Sequence, residues 1–137
     1  RITIKDWKEL GRQLAELLWQ LEQDAPYVPT PVSNGETLFV LSDLGMIQAV
    51  DQQTGEAQWA KKLQGNFYAS QLLADKDVVP FAGWGDVFHR CEWEAQNTGV
   101  YDLEPGDEVT WVDSSPALGC NSLFLRVGAR LDCYRGK

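Results

Sequence analysis

The run His89-Arg90-Cys91-Glu92 sets an imidazole, a thiol and a carboxylate side by side, the groups that ligate metals and move protons. In an extended strand alternate residues share a face, so His89 and Cys91 point the same way. A zinc site needs about four ligands and usually shows CxxC or HxxxH pairs, and neither spacing occurs in the chain. Cys120 and Cys133 complete such a site only if the fold brings them close. A Cys–His pair at i and i+2 rarely reaches nucleophile-to-base geometry, and no third group stands ready to orient it. The cluster therefore reads as incidental, with no catalytic residue and no bound metal expected. A small metal-binding protein built on His89 and Cys91 is the weakest alternative.

Other chemistry is as thinly signalled. The chain has no G-x-S-x-G, P-loop or G-x-G-x-x-G run. Asp75, Asp77, Asp107 and Glu108 read as solvated turn charges. Asp43, Asp51 and Asp102 are oxygen donors of the kind calcium takes, but they fall on separate turns without EF-hand spacing. Cys91, Cys120 and Cys133 make an odd, scattered set. They are expected as free thiols, buried or partly buried, with one bridge as the alternative. Twenty acidic against twelve basic residues give a net charge of −8, which argues against nucleic acid or an anionic membrane surface as partner. Lys61 and Lys62 are the only adjacent basic pair, and no apolar run nears the ~20 residues that span a bilayer.

What would position these groups is legible in two parts of the 137 residues. From Thr3 to about Asp24, Trp7, Leu10, Leu14, Leu17, Leu18 and Leu21 recur at spacings of three and four. That pattern predicts an amphipathic helix, capped by Thr3 and Asp6 and ended by Pro26, Pro29 and Pro31. Its apolar stripe is expected to cover the side or edge of the following sheet, with docking on a second chain as the rival reading.

From Thr30 the sequence repeats. The stretch beginning Thr30-Pro31-Val32 returns in outline at Ser70-Gln71-Leu72 and at Ser115-Pro116-Ala117, starts that lie 40 and 45 residues apart. Each copy reads as a strand, a tight polar turn and a second strand. Asn34-Gly35 predicts a type I′ hairpin, and Ala74 to Asp77 and Gly119-Cys120-Asn121 sit at the equivalent turns. The first copy continues through a third strand, Met46 to Asp51, a turn ending at Gly55, and a fourth strand carrying Trp59. The second copy is read the same way: Val100 to Asp102, a turn to Gly106, then Trp111. The third copy stops after Leu131 to Tyr134. In the turn after each third strand a carboxylate accepts backbone N–H bonds and glycine supplies the positive φ. Residues 81–96 break the periodicity and are read as an insertion.

Ala49-x-Asp51-x-x-x-Gly55-x-x-x-Trp59 resembles the tryptophan-docking motif of pyrroloquinoline-quinone-like, quinoprotein-type β-propellers. Glu56 stands where lysine is common. The second copy is degenerate: Asp102 and Gly106 match, Val100 replaces the alanine and Trp111 falls one residue late. The resemblance implies that each tryptophan packs between neighbouring blades and is received by the motif's Ala and Gly backbones. It covers roughly Tyr27 to Tyr134, leaving the N-terminal helix outside it, and implies an all-β fold of antiparallel four-stranded blades for that part of the chain.

The expected divisions are an N-terminal helix over 1–26 and repeats over 27–137, with blades at 27–65 and 66–113 and a partial blade at 114–137. About two and a half blades cannot close a ring of four to eight. Phe39, Leu41, Val79, Phe124 and Leu125 are expected in core faces, and Trp84, Phe88 and Trp93 form the candidate contact surface. The resemblance further implies a non-catalytic scaffold or protein-interaction module, with a protein partner or self-association, in a bacterial periplasm, envelope or secreted setting. The alternative is the C-terminal part of a quinone-dependent dehydrogenase. Only that reading calls for pyrroloquinoline quinone and calcium, and none of the family's calcium or catalytic carboxylates maps onto this chain.

Overall fold

The computed structural model describes residues 17–75, 77–83, 87–92, 98–102 and 112–135, with the backbone alone at 87–92 and 98–102. These residues form three antiparallel sheets in sequence order. The first has four strands in the order β1-β2-β3-β4, namely Val32–Ser33, Thr37–Leu41, Met46–Asp51 and Ala57–Lys62. The second runs β5-β6-β7-β8, from Leu72–Ala74 through Asp77–Val79 and Val87–Glu92 to Thr98–Asp102. The third has three strands, β9 (Ala117–Gly119), β10 (Ser122–Val127) and β11 (Arg130–Arg135), with β10 central.

The turns follow from local chemistry. Gly119 pairs with Ser122 across a two-residue loop in which Cys120 and Asn121 both have positive φ (50° and 57°), as a type I′ turn requires. The Asn34-Gly35 hairpin forms, but not as the expected I′ turn, because only Gly35 has positive φ (102°). The Asn34 side chain supplies the reason. Its Oδ1 accepts from the backbone N–H groups of Glu36 (3.0 Å) and Thr37 (2.8 Å), an Asx turn that does the work of the second left-handed residue.

Two apolar layers join the sheets. Phe39, Leu41, Ile47 and Ala49 of the first sheet are fully buried against Val78 and Leu73 of the second, together with Leu63 and Phe67 from the connection between them. The opposite face of the second sheet, through Leu72 and Val79, meets Leu123, Leu125 and Val127 of the third, with Phe81 and Val112 filling the gap. Alternation along β10 thus turns Leu123, Leu125 and Val127 inward and leaves Phe124 and Arg126 on the outer face. Phe124, expected in a core, is 37% exposed there.

Three further expectations change. Residues 17–24 run as irregular chain rather than helix, and Asp24 takes a positive φ of 53°; the rest of the expected helix lies outside the described residues. In the second sheet the third strand is Val87–Glu92, inside the stretch read as an insertion, and Thr98–Asp102 holds the fourth place rather than the third. Cys120 and Cys133 are free thiols but exposed, one on a hairpin turn and one on the edge strand β11, whereas burial was expected.

Candidate functional site

The Ala49–Trp59 segment is the best-formed polar feature of the described chain. Asp51, the last residue of β3, starts a turn in which its Oδ1 accepts from the backbone N–H of Gln53 (2.9 Å), the N–H of Thr54 (2.8 Å) and the Thr54 hydroxyl (3.1 Å). The Gly55 N–H returns to the Asp51 carbonyl (2.9 Å), and Gly55 closes the turn at a φ of 76°. The backbone N–H donors of Thr54 and Gln53 hold the Asp51 carboxyl below its ordinary pKa, because they favour the charged form. On the far side of the turn Trp59 stands directly across from Ala49. Its ring tilts toward Phe39, with centroids 6.3 Å apart.

A residue missed at the sequence level completes this arrangement. Trp19 lies against the turn, its indole N–H donating to the Gln52 carbonyl (3.0 Å). A Cβ placed on Gly55 would stand 2.6 Å from the Cγ and Cδ2 of Trp19, so only glycine leaves room for the ring. The signal was present in the sequence. Glu-x-x-Trp occurs at 16–19, 56–59 and 108–111, and both Trp19 and Trp59 precede a repeat start, Thr30 or Ser70, by 11 residues.

The repeat starts themselves are brought together. The Thr30 N–H donates to the Ser70 hydroxyl (2.9 Å), and the Ser70 N–H donates to the Ser115 hydroxyl (3.1 Å). Equivalent residues of successive copies, each two positions ahead of the first strand of its sheet, are thus linked in a ladder. Beside it Gln71 is buried and donates from Nε2 to the Phe39 carbonyl (2.9 Å), tying the second sheet to the first.

The remaining candidates separate. Asp102 ends β8, while Gly106 and Trp111 lie outside the described residues, as do Trp84 and Trp93. Phe88, His89 and Cys91 are on β7, where the backbone alone is described. Asp43 accepts from the Tyr27 N–H (3.3 Å) and Asp51 from its own turn. Among the described residues no three His, Cys, Asp or Glu side chains gather closely enough to hold a metal. No described helix is long and apolar enough to cross a membrane. An open cleft of about 520 Å³ beside the third sheet is lined by Asp113, Ser114, Arg126 and Gly128. Arg126 donates there from Nε to the Gly128 carbonyl (3.0 Å) and from a terminal nitrogen to the Ser114 hydroxyl (3.5 Å).

No protein-family model matches the chain, and no curated protein matches it by sequence. Among solved structures it is similar to the crystal structure of BamB from Moraxella catarrhalis, with a TM-score of 0.59 at 17% sequence identity. The likeness covers 76% of this chain and 32% of that one, so the chain spans about a third of the neighbour's length. At that identity the likeness speaks to fold alone. Together with the stacked antiparallel sheets it supports a β-propeller-like architecture.

Proposed function

We propose that this chain is a non-catalytic scaffold or protein-interaction module built from quinoprotein-type propeller repeats. The observation that carries the repeat reading is the seating of tryptophan at both halves of the motif. Trp59 stands across from Ala49, and Trp19 lies on Gly55. A docking motif of this kind is architectural, since it sets one sheet against the next and brings no reacting group with it. The interaction reading is supported by the outer face of the third sheet, where Phe124 and Leu131 (72% exposed) meet solvent on a surface whose equivalents in the first sheet are buried. Apolar exposure of that kind marks contact surfaces. An envelope or secreted setting follows only from the family resemblance.

The test sets this reading against a quinone-dependent dehydrogenase. The chain is titrated with pyrroloquinoline quinone and calcium, with quinone absorbance and quinone-dependent dye reduction as readouts. The expected result is neither saturable binding nor turnover. Stoichiometric quinone binding would overturn the non-catalytic reading.

A further inference from the structure

Of the four asparagines in the chain only Asn34 precedes a glycine, and the first hairpin gathers reactive groups around that peptide bond. The Asn34 Oδ1 accepts from the backbone N–H groups of Glu36 (3.0 Å) and Thr37 (2.8 Å). The bond to Glu36 closes a ring that contains both the Asn34 Cγ and the Gly35 nitrogen, so the side-chain amide is folded back over the peptide that follows it. The Gly35 N–H donates to the Ser33 hydroxyl oxygen (2.9 Å), and that hydroxyl donates in turn to the Gln52 Oε1. Gly35 has a φ of 102°, and a Cβ built on it would meet no neighbouring heavy atom within 4 Å, so nothing crowds the approach. Asn34 and Gly35 are both exposed, which leaves the bond open to water.

We infer that this hairpin is a self-modification site, at which the fold promotes conversion of Asn34 to a succinimide and then to aspartate and isoaspartate. The Gly35 nitrogen attacks the Asn34 Cγ, forming an N–Cγ bond as its proton passes to the Ser33 oxygen. The negative charge that develops on Oδ1 falls where two backbone N–H donors already point, the arrangement that stabilises an oxyanion. The Cγ–Nδ2 bond then breaks, and Nδ2 takes up the proton relayed by Ser33 and leaves as ammonia. Water adds to the succinimide and opens it on one side or the other. Opening at Cγ gives aspartate, whereas opening at the backbone carbonyl gives isoaspartate, with the chain now running through the side chain. The sum is one water consumed and one ammonia released.

The two products act differently on the fold. An aspartate carboxylate accepts the same two N–H bonds with charge assistance, and the hairpin stands. Isoaspartate adds an atom to the backbone of the turn and displaces Glu36. The Glu36 carbonyl accepts from the Gln52 N–H (2.9 Å), and the Gln52 carbonyl accepts from the Trp19 indole (3.0 Å). The altered backbone is thus two hydrogen bonds from the seat of Trp19 on Gly55 and loosens it.

The experiment incubates the full folded chain at mildly alkaline pH beside the same chain in urea and a synthetic peptide of residues 32–37. Mass spectrometry follows the exchange of NH2 for OH at Asn34, and enzymatic methylation of isoaspartate counts that product. The folded chain should convert Asn34 severalfold faster than either comparator, while Asn66 and Asn121 stay unchanged. Ser33→Ala should lower the folded rate severalfold, and Ser33→Thr, which keeps the hydroxyl, should retain it. Hydrogen exchange at Glu36 and Thr37 shows whether the turn survives in each variant. A folded chain that reacts no faster than the peptide overturns the inference. So does a Ser33→Ala chain with its turn intact that keeps the folded rate. If Ser33→Ala opens the turn, the comparison of folded chain with peptide decides alone.

Discussion

Phe39 and Phe124 occupy the same row of equivalent sheets, so truncating each to alanine isolates what a neighbouring sheet contributes. Phe39 is fully buried between the first and second sheets and packs on Trp59. Phe39→Ala removes a large ring from a closed layer, which costs about 3–5 kcal/mol for transfer and cavity together. Loss of the tilted ring pair adds roughly 0.5–1.5 kcal/mol. Phe124 is 37% exposed on a face that no sheet covers among the described residues. At ~25 cal/mol per Å², the two-thirds of its ring that is covered amounts to about 2 kcal/mol as an upper bound. Solvent fills the space it leaves, so no cavity term is added. At ~2–4 °C per kcal/mol, Phe39→Ala should lower the melting temperature by about 10–15 °C and Phe124→Ala by no more than about half that. The assay is thermal and urea unfolding of both variants in dilute protein. Equal costs under dilution would refute the argument, because they would mean that the outer face of the third sheet is covered within one chain. A Phe124→Ala cost that grows with protein concentration would instead be the signature of a second copy on that face.

Trp19→Ala and Gly55→Ala remove the same contact, one by deleting the ring and the other by driving a Cβ to 2.6 Å from it. The double variant should therefore cost less than the sum of the singles by at least ~0.5 kcal/mol in a double-mutant cycle, and additivity would show that the two do not touch. Ser70→Ala takes the acceptor from the Thr30 N–H and should cost about 1 kcal/mol, with faster hydrogen exchange at Thr30 as the local readout. The Asp51 carboxyl is depressed in the folded chain by the Thr54 and Gln53 amides, so its contribution is fully present above the unfolded value of about 3.9 and fades as pH falls through the folded value. The difference in urea midpoint between the native chain and Asp51→Asn should accordingly be largest near neutrality and vanish in acid. A difference that persists unchanged at the lowest pH would show that the carboxylate charge is not what the turn uses.

What was legible in the sequence was local. The Asp51-to-Gly55 turn could be read in advance because its chemistry is contained in five consecutive residues, and the hairpins because each is a turn between two short apolar runs. Long-range placement was not readable in the same way. Leu17, Leu18 and Leu21 satisfy a helical spacing, but Trp19 lies off that stripe, and its seat on Gly55, 36 residues away, outweighs helix propensity. Val87–Glu92 reads Val-Phe-His-Arg-Cys-Glu without a clean alternation of apolar and polar residues, and its His89-Arg90-Cys91-Glu92 run drew attention as chemistry and hid a strand. Phe124 looked like core because pattern reports apolarity without saying whether a neighbouring sheet exists on that side.

The two largest departures from expectation concern the same physical question. An open sheet edge presents unpaired backbone donors and acceptors, and proteins ordinarily blunt such edges with charge, proline or a covering element. On β11 the blunting is incomplete. Arg130, Asp132 and Arg135 are charged, but Leu131, Cys133 and Tyr134 stand exposed among them. Residues 17–22 show the converse. They carry Trp19 in phase with Trp59, 11 residues ahead of a repeat start, and leave an apolar Leu17-Leu18 pair in solvent. A surface helix would have needed only an apolar stripe, whereas the seat of Trp19 on Gly55 fixes one ring against one turn. The exposed apolar side chains Phe124 and Leu131 on the outer face of the third sheet, rather than the His89–Glu92 cluster, are where recognition by this protein should be sought.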